Sequence, residues 1–244
     1  MISIAGLYPE LLGTYGDGGN VEVLAQRLRW RGLNVETVTV TAGEAVPESC
    51  DLYVLGGGED GPQTLAAQDL AASGALNRAV DRGAAVLAVC AGFQILGTAF
   101  VGPDGRPHAG LDLLDCTTRR GSGRRRVGEI VVTPEAFPLP QLTGYENHQG
   151  VTQLGSGCRP LGRVASGSGN DSGDRSEGAV NGKIVGTYLH GPVLARNPAL
   201  ADLLLSWAAG TLAPLDDTEI EDLRDERLGA ARRRFWQFPA RANA

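Results

Sequence analysis

Lysine is nearly missing from this chain: Lys183 is the only one in 244 residues. A phosphate-binding GxxxxGK[ST] loop built on it fails, because Glu177 stands at the first glycine and Ile184 at the hydroxyl position. Gly16-Asp17-Gly18-Gly19-Asn20 also fails as GxGxxG, since Val21 occupies the last glycine position. No nucleotide site is therefore expected. Cysteine is sparse, with Cys50, Cys90, Cys116 and Cys158 lying 40, 26 and 42 residues apart. No CxxC pair exists to build a zinc knuckle or a dithiol, and no disulfide framework is suggested. Long apolar runs are lacking too: none approaches the roughly 18 residues of a membrane span. Met1 to Leu7 shows no basic region followed by a long apolar stretch, so a cytoplasmic chain is expected. Positive charge is not in excess, with 22 Lys+Arg against 28 Asp+Glu and a net charge of −6. The dense arginine runs are only Arg124-Arg125-Arg126 and Arg232-Arg233-Arg234, which argues against nucleic acid as a partner. A small molecule or a protein is expected instead.

What the chain does have is glycine, 35 residues without a Gly-X-Y period, and 42% hydrophobic residues. That supports one large core or two small ones, with glycine placed in turns and at close backbone approaches. Short β-branched runs at Ile2 to Leu7, Val35 to Thr41, Leu52 to Leu55 and Ala84 to Val89 read as buried strands. Between the first two, Asn20 is expected to cap a helix with Val21, Leu24 and Leu28 on one face. Between the last two, Gln63 to Arg82 reads as one helix closed by Gly83. This βαβ rhythm predicts a parallel sheet covered by helices, with chemistry in the loops after Leu7, Leu55 and Val89. Farther on, Leu111 to Thr117, Val127 to Thr133, Tyr145 to Gly150 and Ile184 to Leu189 have strand character. The Gly/Ser-rich stretch from Gly155 to Gly178 reads as a surface hairpin rather than a linker. Asn197 to Ala209 and the charged Glu219 to Trp236 read as helices.

Cys90 follows an apolar strand and precedes Ala91-Gly92-Phe93-Gln94-Ile95-Leu96, a helix start. A cysteine on such a strand-to-helix elbow has free N–H groups beside it that favour a thiolate and can hold an oxyanion. A small buried hydrophobe is the other reading of the same local sequence. Three histidines are available as base. His108 lies in a turn-rich segment, His148 in the polar Tyr145-Glu146-Asn147-His148-Gln149-Gly150, and His190 at the end of a strand where it can meet Cys90. After the strand Leu52 to Leu55, Gly56-Gly57-Gly58 allows a turn whose N–H groups face a developing negative charge.

Together, Gly56-Gly57-Gly58, Cys90-Ala91-Gly92-Phe93-Gln94 and Tyr188-Leu189-His190-Gly191-Pro192 resemble the class I glutamine amidotransferases of the cobyric acid synthase type. Within these, Tyr15-Gly16-Asp17-Gly18-Gly19-Asn20, Glu146-Asn147-His148 and Gly186-Thr187-Tyr188-Leu189-His190-Gly191-Pro192 resemble the glutaminase subunits of lipid II isoglutaminyl synthases. The resemblance runs from about Ser3 to Trp207. It implies an α/β, flavodoxin-like fold with a central, mostly parallel sheet flanked by helices. The amidotransferase domain would span residues 1–210, and a C-terminal helical extension facing a partner would span 211–244.

The same resemblance implies that Cys90 attacks the side-chain amide of L-glutamine and His190 transfers protons. Ala91 and the Gly57 region would hold the oxyanion, with Gln94 and His148 on the substrate side. Arg125, in Arg125-Arg126-Val127-Gly128-Glu129, would pair with the substrate α-carboxylate, with Arg124 and Arg126 as the neighbouring alternatives in register. No metal or cofactor is implied for this chain; ATP and Mg²⁺ would sit on a Mur-ligase-like partner of the MurT type. Lipid II would be reached through that partner at the inner face of the membrane, and its D-glutamate amidated. The pattern departs from many class I enzymes at Pro192, where they carry a glutamate two residues after the histidine. Glu146, Asp17 and Asp60 remain as groups to orient His190. Competing readings are a glutaminase serving another acceptor such as a corrinoid carboxylate, a non-catalytic binding protein, and a cysteine peptidase.

Overall fold

The computed structural model describes residues 1–237. In its first half the expected βαβ rhythm appears as β1 (Ile2–Leu7), α1 (Pro9–Leu12), α2 (Gly19–Trp30), β2 (Val35–Val40), β3 (Leu52–Leu55), α3 (Asp60–Ser73), α4 (Ala75–Asp81), β4 (Ala85–Val89) and α5 (Ala91–Leu96). Every residue of β3 and β4 is buried, as continuous apolar strands covered on both faces must be. The single helix expected from Gln63 to Arg82 is two, broken at Gly74, whose φ of 60° lies in the left-handed region. Asn20 does not cap α2 but lies in its first turn, where its Oδ1 accepts the Leu194 N–H at 3.0 Å.

The second half contributes β5 (Ala99–Val101), β6 (Pro107–Ala109), β7 (Cys116–Arg120), β8 (Arg126–Pro134), β9 (Leu142–His148), β10 (Gly150–Leu154), β11 (Gly162–Ser166), β12 (Ser176–Glu177), β13 (Ala179–Asn181) and β14 (Ile184–Thr187). Three helices follow, α6 (Val193–Arg196), α7 (Pro198–Ala209) and α8 (Thr218–Gln237). The strand expected at Leu111 to Thr117 starts only at Cys116. The Gly/Ser-rich stretch does contain the antiparallel pair β11 and β12, but it is not purely superficial: Asn170 and Glu177 are fully buried.

The central sheet runs β13-β14-β4-β3-β1-β2, parallel except for β13. Helix α2 packs on β1, β2 and α7, and α5 packs on β4, β14 and α3, so the sheet is sandwiched. Two further four-stranded sheets, β10-β7-β5-β6 and β12-β11-β8-β9, form most of the crossover between β4 and β14. The order β2-β1-β3-β4 reverses direction between β1 and β3, which opens a crevice at the carboxyl ends of these strands. The segment after Gly210 is tied to the body. Arg27, 2% exposed, makes bidentate pairs with Asp202 and Asp217, and Arg224 of α8 donates to the Gln141 carbonyl. The part of the expected 211–244 extension beyond Gln237 lies outside the described residues. Among the described residues, no helix is long and apolar enough to cross a membrane.

Candidate active site

Cys90 sits between β4 and α5 with φ 51° and ψ −104°, a conformation a non-glycine residue adopts only under constraint. Three backbone bonds impose it. The Cys90 N–H donates to the Thr187 carbonyl at 2.8 Å, the Gln94 N–H to the Cys90 carbonyl at 3.0 Å, and the Gly92 N–H to the Gly56 carbonyl at 3.1 Å. A side chain at Gly92 would reach within 2.7 Å of Leu55 Cβ, so the elbow closes only with glycine there.

His190 lies three residues past the end of β14 and is 1% exposed. Its backbone exchanges two hydrogen bonds with Tyr145, at 2.9 and 3.1 Å, and its ring meets Tyr15 edge-on at 4.8 Å. Nδ1 is 2.8 Å from Asp17 Oδ2, which leaves Nε2 buried without a hydrogen-bond partner. Burial lowers the imidazole pKa, but the Asp17 carboxylate and the nearby Cys90 more than offset it, so His190 is raised above the ordinary histidine value.

The group that orients His190 is Asp17. It is fully buried in the loop before α2, and besides the imidazole it accepts the Gly57 N–H at 2.9 Å. Glu146 is used elsewhere, accepting the Ser168 and Gly169 N–H groups at 3.0 Å each. Asp60 is about half exposed at the start of α3, 4.0 Å from Arg120. Of the Gly57 region and Ala91, expected to hold the oxyanion, the Gly57 N–H is used by Asp17, while Gly58 and Ala91 line the cavity. The glycine run also serves close packing. A Cβ at Gly56 would stand 1.9 Å from the Leu12 carbonyl oxygen, one at Gly57 2.5 Å from His190 Cε1, and one at Gly58 2.5 Å from the Leu11 carbonyl oxygen.

Cys90, Ala91, Gln94, Gly58, Arg125 and His148 line one cavity of about 200 Å³. Among the three neighbouring arginines, Arg126 is held by Asp171 at 2.8 Å, whereas Arg125 faces the cavity. Arg125 donates to Asn147 Oδ1 at 2.5 Å and to the Tyr15 hydroxyl at 3.0 Å, and Tyr15 in turn donates to Glu59 at 2.9 Å. Gln94 donates to the Tyr188 hydroxyl at 3.1 Å and accepts from Gln63 at 2.9 Å. His148 stacks on Tyr188 at 3.9 Å with Nδ1 3.0 Å from the Gly150 carbonyl oxygen, and it lies on the cavity wall. His108 is elsewhere, stacked on Phe100 and paired with Asp104 at 3.2 Å. Sequence reasoning did not reach Gln63 and Tyr188, which meet at Gln94 from 31 and 94 residues away, nor Glu177, which meets Thr187 and Tyr188 only across a turn between strands. Chemically, the site offers a nucleophile on a constrained elbow, an imidazole held by a buried carboxylate, and a cavity mouth carrying both charge signs.

Residues 3–198 match the CobB/CobQ-like glutamine amidotransferase domain. The chain is similar to the glutamine-hydrolysing subunit GatD of lipid II isoglutaminyl synthase from Staphylococcus aureus, with 34% identity over 91% of this chain and 90% of that one. The Streptococcus pneumoniae GatD is 35% identical over 85% of this chain and 80% of that one. A cobyric acid synthase from Sphingopyxis alaskensis is 35% identical over 70% of this chain but only 34% of its own length. A solved glutamine amidotransferase shares the fold with TM-score 0.57 and 21% identity, over 84% of this chain and 98% of that one. So does the glutaminase domain of Trypanosoma brucei CTPS, with TM-score 0.52 and 12% identity over 88% of this chain and 96% of that one.

Proposed function

Because the chain belongs to the CobB/CobQ-like glutamine amidotransferase family, we propose that it is the glutaminase subunit of a lipid II isoglutaminyl synthase. The observation that carries this reading is a cysteine elbow on the cavity wall, beside a buried histidine that a buried aspartate orients. The relatives matched over most of their length are GatD subunits, whereas the cobyric acid synthase is matched over a third of its own.

In the mechanism we infer, Cys90 Sγ attacks the side-chain carbonyl carbon of L-glutamine while His190 Nε2 takes the thiol proton. The C–N bond then breaks, the imidazolium returns that proton to the departing nitrogen, and ammonia leaves a γ-glutamyl thioester on Cys90. His190 next takes a proton from water, whose oxygen displaces the sulfur to give glutamate, and the imidazolium returns that proton to Cys90 Sγ. Asp17 keeps Nδ1 protonated, so Nε2 is the nitrogen that exchanges protons. Arg125 suits the α-carboxylate of the substrate, and the acidic side of the cavity mouth at Glu59 and Asp60 suits its α-ammonium. Gln94, Ala91 and His148 form the wall against which the carboxamide is held.

Ammonia so released would pass to a Mur-ligase-like subunit of the MurT type. That subunit would hold ATP and Mg²⁺, activate the D-glutamate α-carboxylate of the lipid II stem peptide, and yield D-isoglutamine at the inner face of the membrane. Glutamate release from L-glutamine should be measured for the wild type and Cys90→Ala, each alone and with the co-expressed Mur-ligase-like subunit. The wild type should release glutamate and Cys90→Ala none. Equal behaviour of the two would remove the amidotransferase reading, and a partner of another class at co-purification would move the acceptor to a carboxylate of another kind.

A further inference from the structure

Where β14 ends, three successive backbone N–H groups lose their sheet partners, and each must be satisfied in a buried place. The Tyr188 N–H donates to Glu177 Oε1 at 2.7 Å, the Leu189 N–H to Thr187 Oγ1 at 3.1 Å, and the His190 N–H to the Tyr145 carbonyl at 2.9 Å. The Thr187 hydroxyl itself donates to the same Glu177 oxygen at 2.8 Å. One carboxyl oxygen thus governs two of the three closures. It also reaches the other half of the site, because the carbonyl of Thr187 accepts the Cys90 N–H at 2.8 Å.

Glu177 is built to hold this position. It is fully buried, and the residue after it is clamped by Asn170, which donates to the Gly178 carbonyl at 2.9 Å and accepts the Gly178 N–H at 3.0 Å. A Cβ at Gly178 would lie 2.4 Å from the Gly186 carbonyl oxygen, so the link between β12 and β13 approaches β14 as closely as glycine allows. The second carboxyl oxygen, Oε2, is buried with no partner. A buried acid held by nothing but the segment leading to His190 has no other evident task in the fold.

We propose that Glu177 is a positioning residue for the Cys90–His190 pair: its carboxyl sets the course of Thr187 to His190 and so the placing of the imidazole against the thiol. This rests on the reading of Cys90 and His190 as the glutaminase pair. Displacing a base by about 1 Å costs on the order of 10²-fold in rate, so the bracket has leverage without touching substrate.

The test uses the full chain with Glu177→Gln, Glu177→Met and Thr187→Val. Glutamine keeps an acceptor oxygen for both donors, whereas methionine removes it at similar size. For each variant the readouts are kcat and KM for glutamine, the melting temperature, and the rate of Cys90 alkylation by iodoacetamide, resolved by peptide mass spectrometry. Glu177→Met should lose roughly 10²-fold in kcat with KM within a few-fold, and should slow Cys90 alkylation about tenfold or more below its melting temperature. Glu177→Gln should restore most of both. If folded Glu177→Met alkylates like the wild type, the residue is a structural anchor only and the proposal falls. If Glu177→Met does not fold, Thr187→Val decides by the same readouts, with wild-type alkylation and kcat again overturning it. Alkylation needs no glutamine turnover, so an inactive wild type would count against the glutaminase reading while the Glu177 proposal is still judged.

Discussion

Asp17 is joined to His190 by a single 2.8 Å contact between residues 173 positions apart. Replacing it with asparagine keeps one acceptor oxygen but removes the charge that fixes the ring's tautomer. Asp17→Asn should therefore lower kcat/KM for glutamine hydrolysis by about 10²- to 10⁴-fold, read as initial rates of glutamate release. Glu177 gives a second expectation at this scale. Burial, with the Glu146 carboxylate adding, pushes its pKa up from 4.5 to about 7, against the hydrogen bonds from Tyr188 and Thr187. A carboxyl raised on folding contributes stability below about pH 4.5 that is lost as pH rises through about 7. Glu177→Gln does not titrate, so its melting temperature should gain on the wild type between pH 5 and 8. At full titration the gain is of order 3 kcal/mol. A difference independent of pH would mean that folding leaves the Glu177 carboxyl unshifted.

At the scale of elements, the turn after β3 matters for its lack of side chains. An alanine Cβ at position 57 would stand 2.5 Å from His190 Cε1 and 3.1 Å from Asp17 Oδ2, so the ring, not solvent, must yield. Gly57→Ala should cost on the order of 10²-fold in kcat while leaving KM for glutamine within a few-fold, as separated by steady-state kinetics. Strands β3 and β4 were readable because each is a short, apolar run whose burial needs no knowledge of its neighbours, whereas β2, expected buried, alternates polar residues and buries only Val40 fully. The break at Gly74 was not, since an Ala- and Leu-rich window carries the same propensity on both sides of it. Nor was the role of Asn20: an asparagine before an apolar periodicity looks like a cap, and only the arrival of Leu194 from across the fold claims its side chain.

For the whole molecule, Arg27 is the tie between the α/β body and the segment leading to α8. It is 2% exposed and bonded to both Asp202 and Asp217. Arg27→Met leaves the half-buried Asp217 without its cation and Asp202 with Arg31 alone, which should destabilise the fold by about 3 kcal/mol and lower the melting temperature by roughly 10 °C. Scanning calorimetry checks this, and kcat measured below the transition should stay near wild type because the pair lies outside the cavity.

The elbow position of Cys90, the place of His190 just past a strand and the apolar strands β3 and β4 were legible from residue order. An elbow cysteine and a strand-end histidine are placed by local backbone chemistry, and continuous apolar runs have to be buried. The assignment of Asp17 over Glu146 and Asp60, the choice of Arg125 over its neighbours, the use of Gly57 as a packing surface and the bracket at Glu177 belong to the tertiary structure. Each depends on which distant groups share a buried volume, and a buried donor or acceptor takes whichever partner the packing brings within about 3 Å.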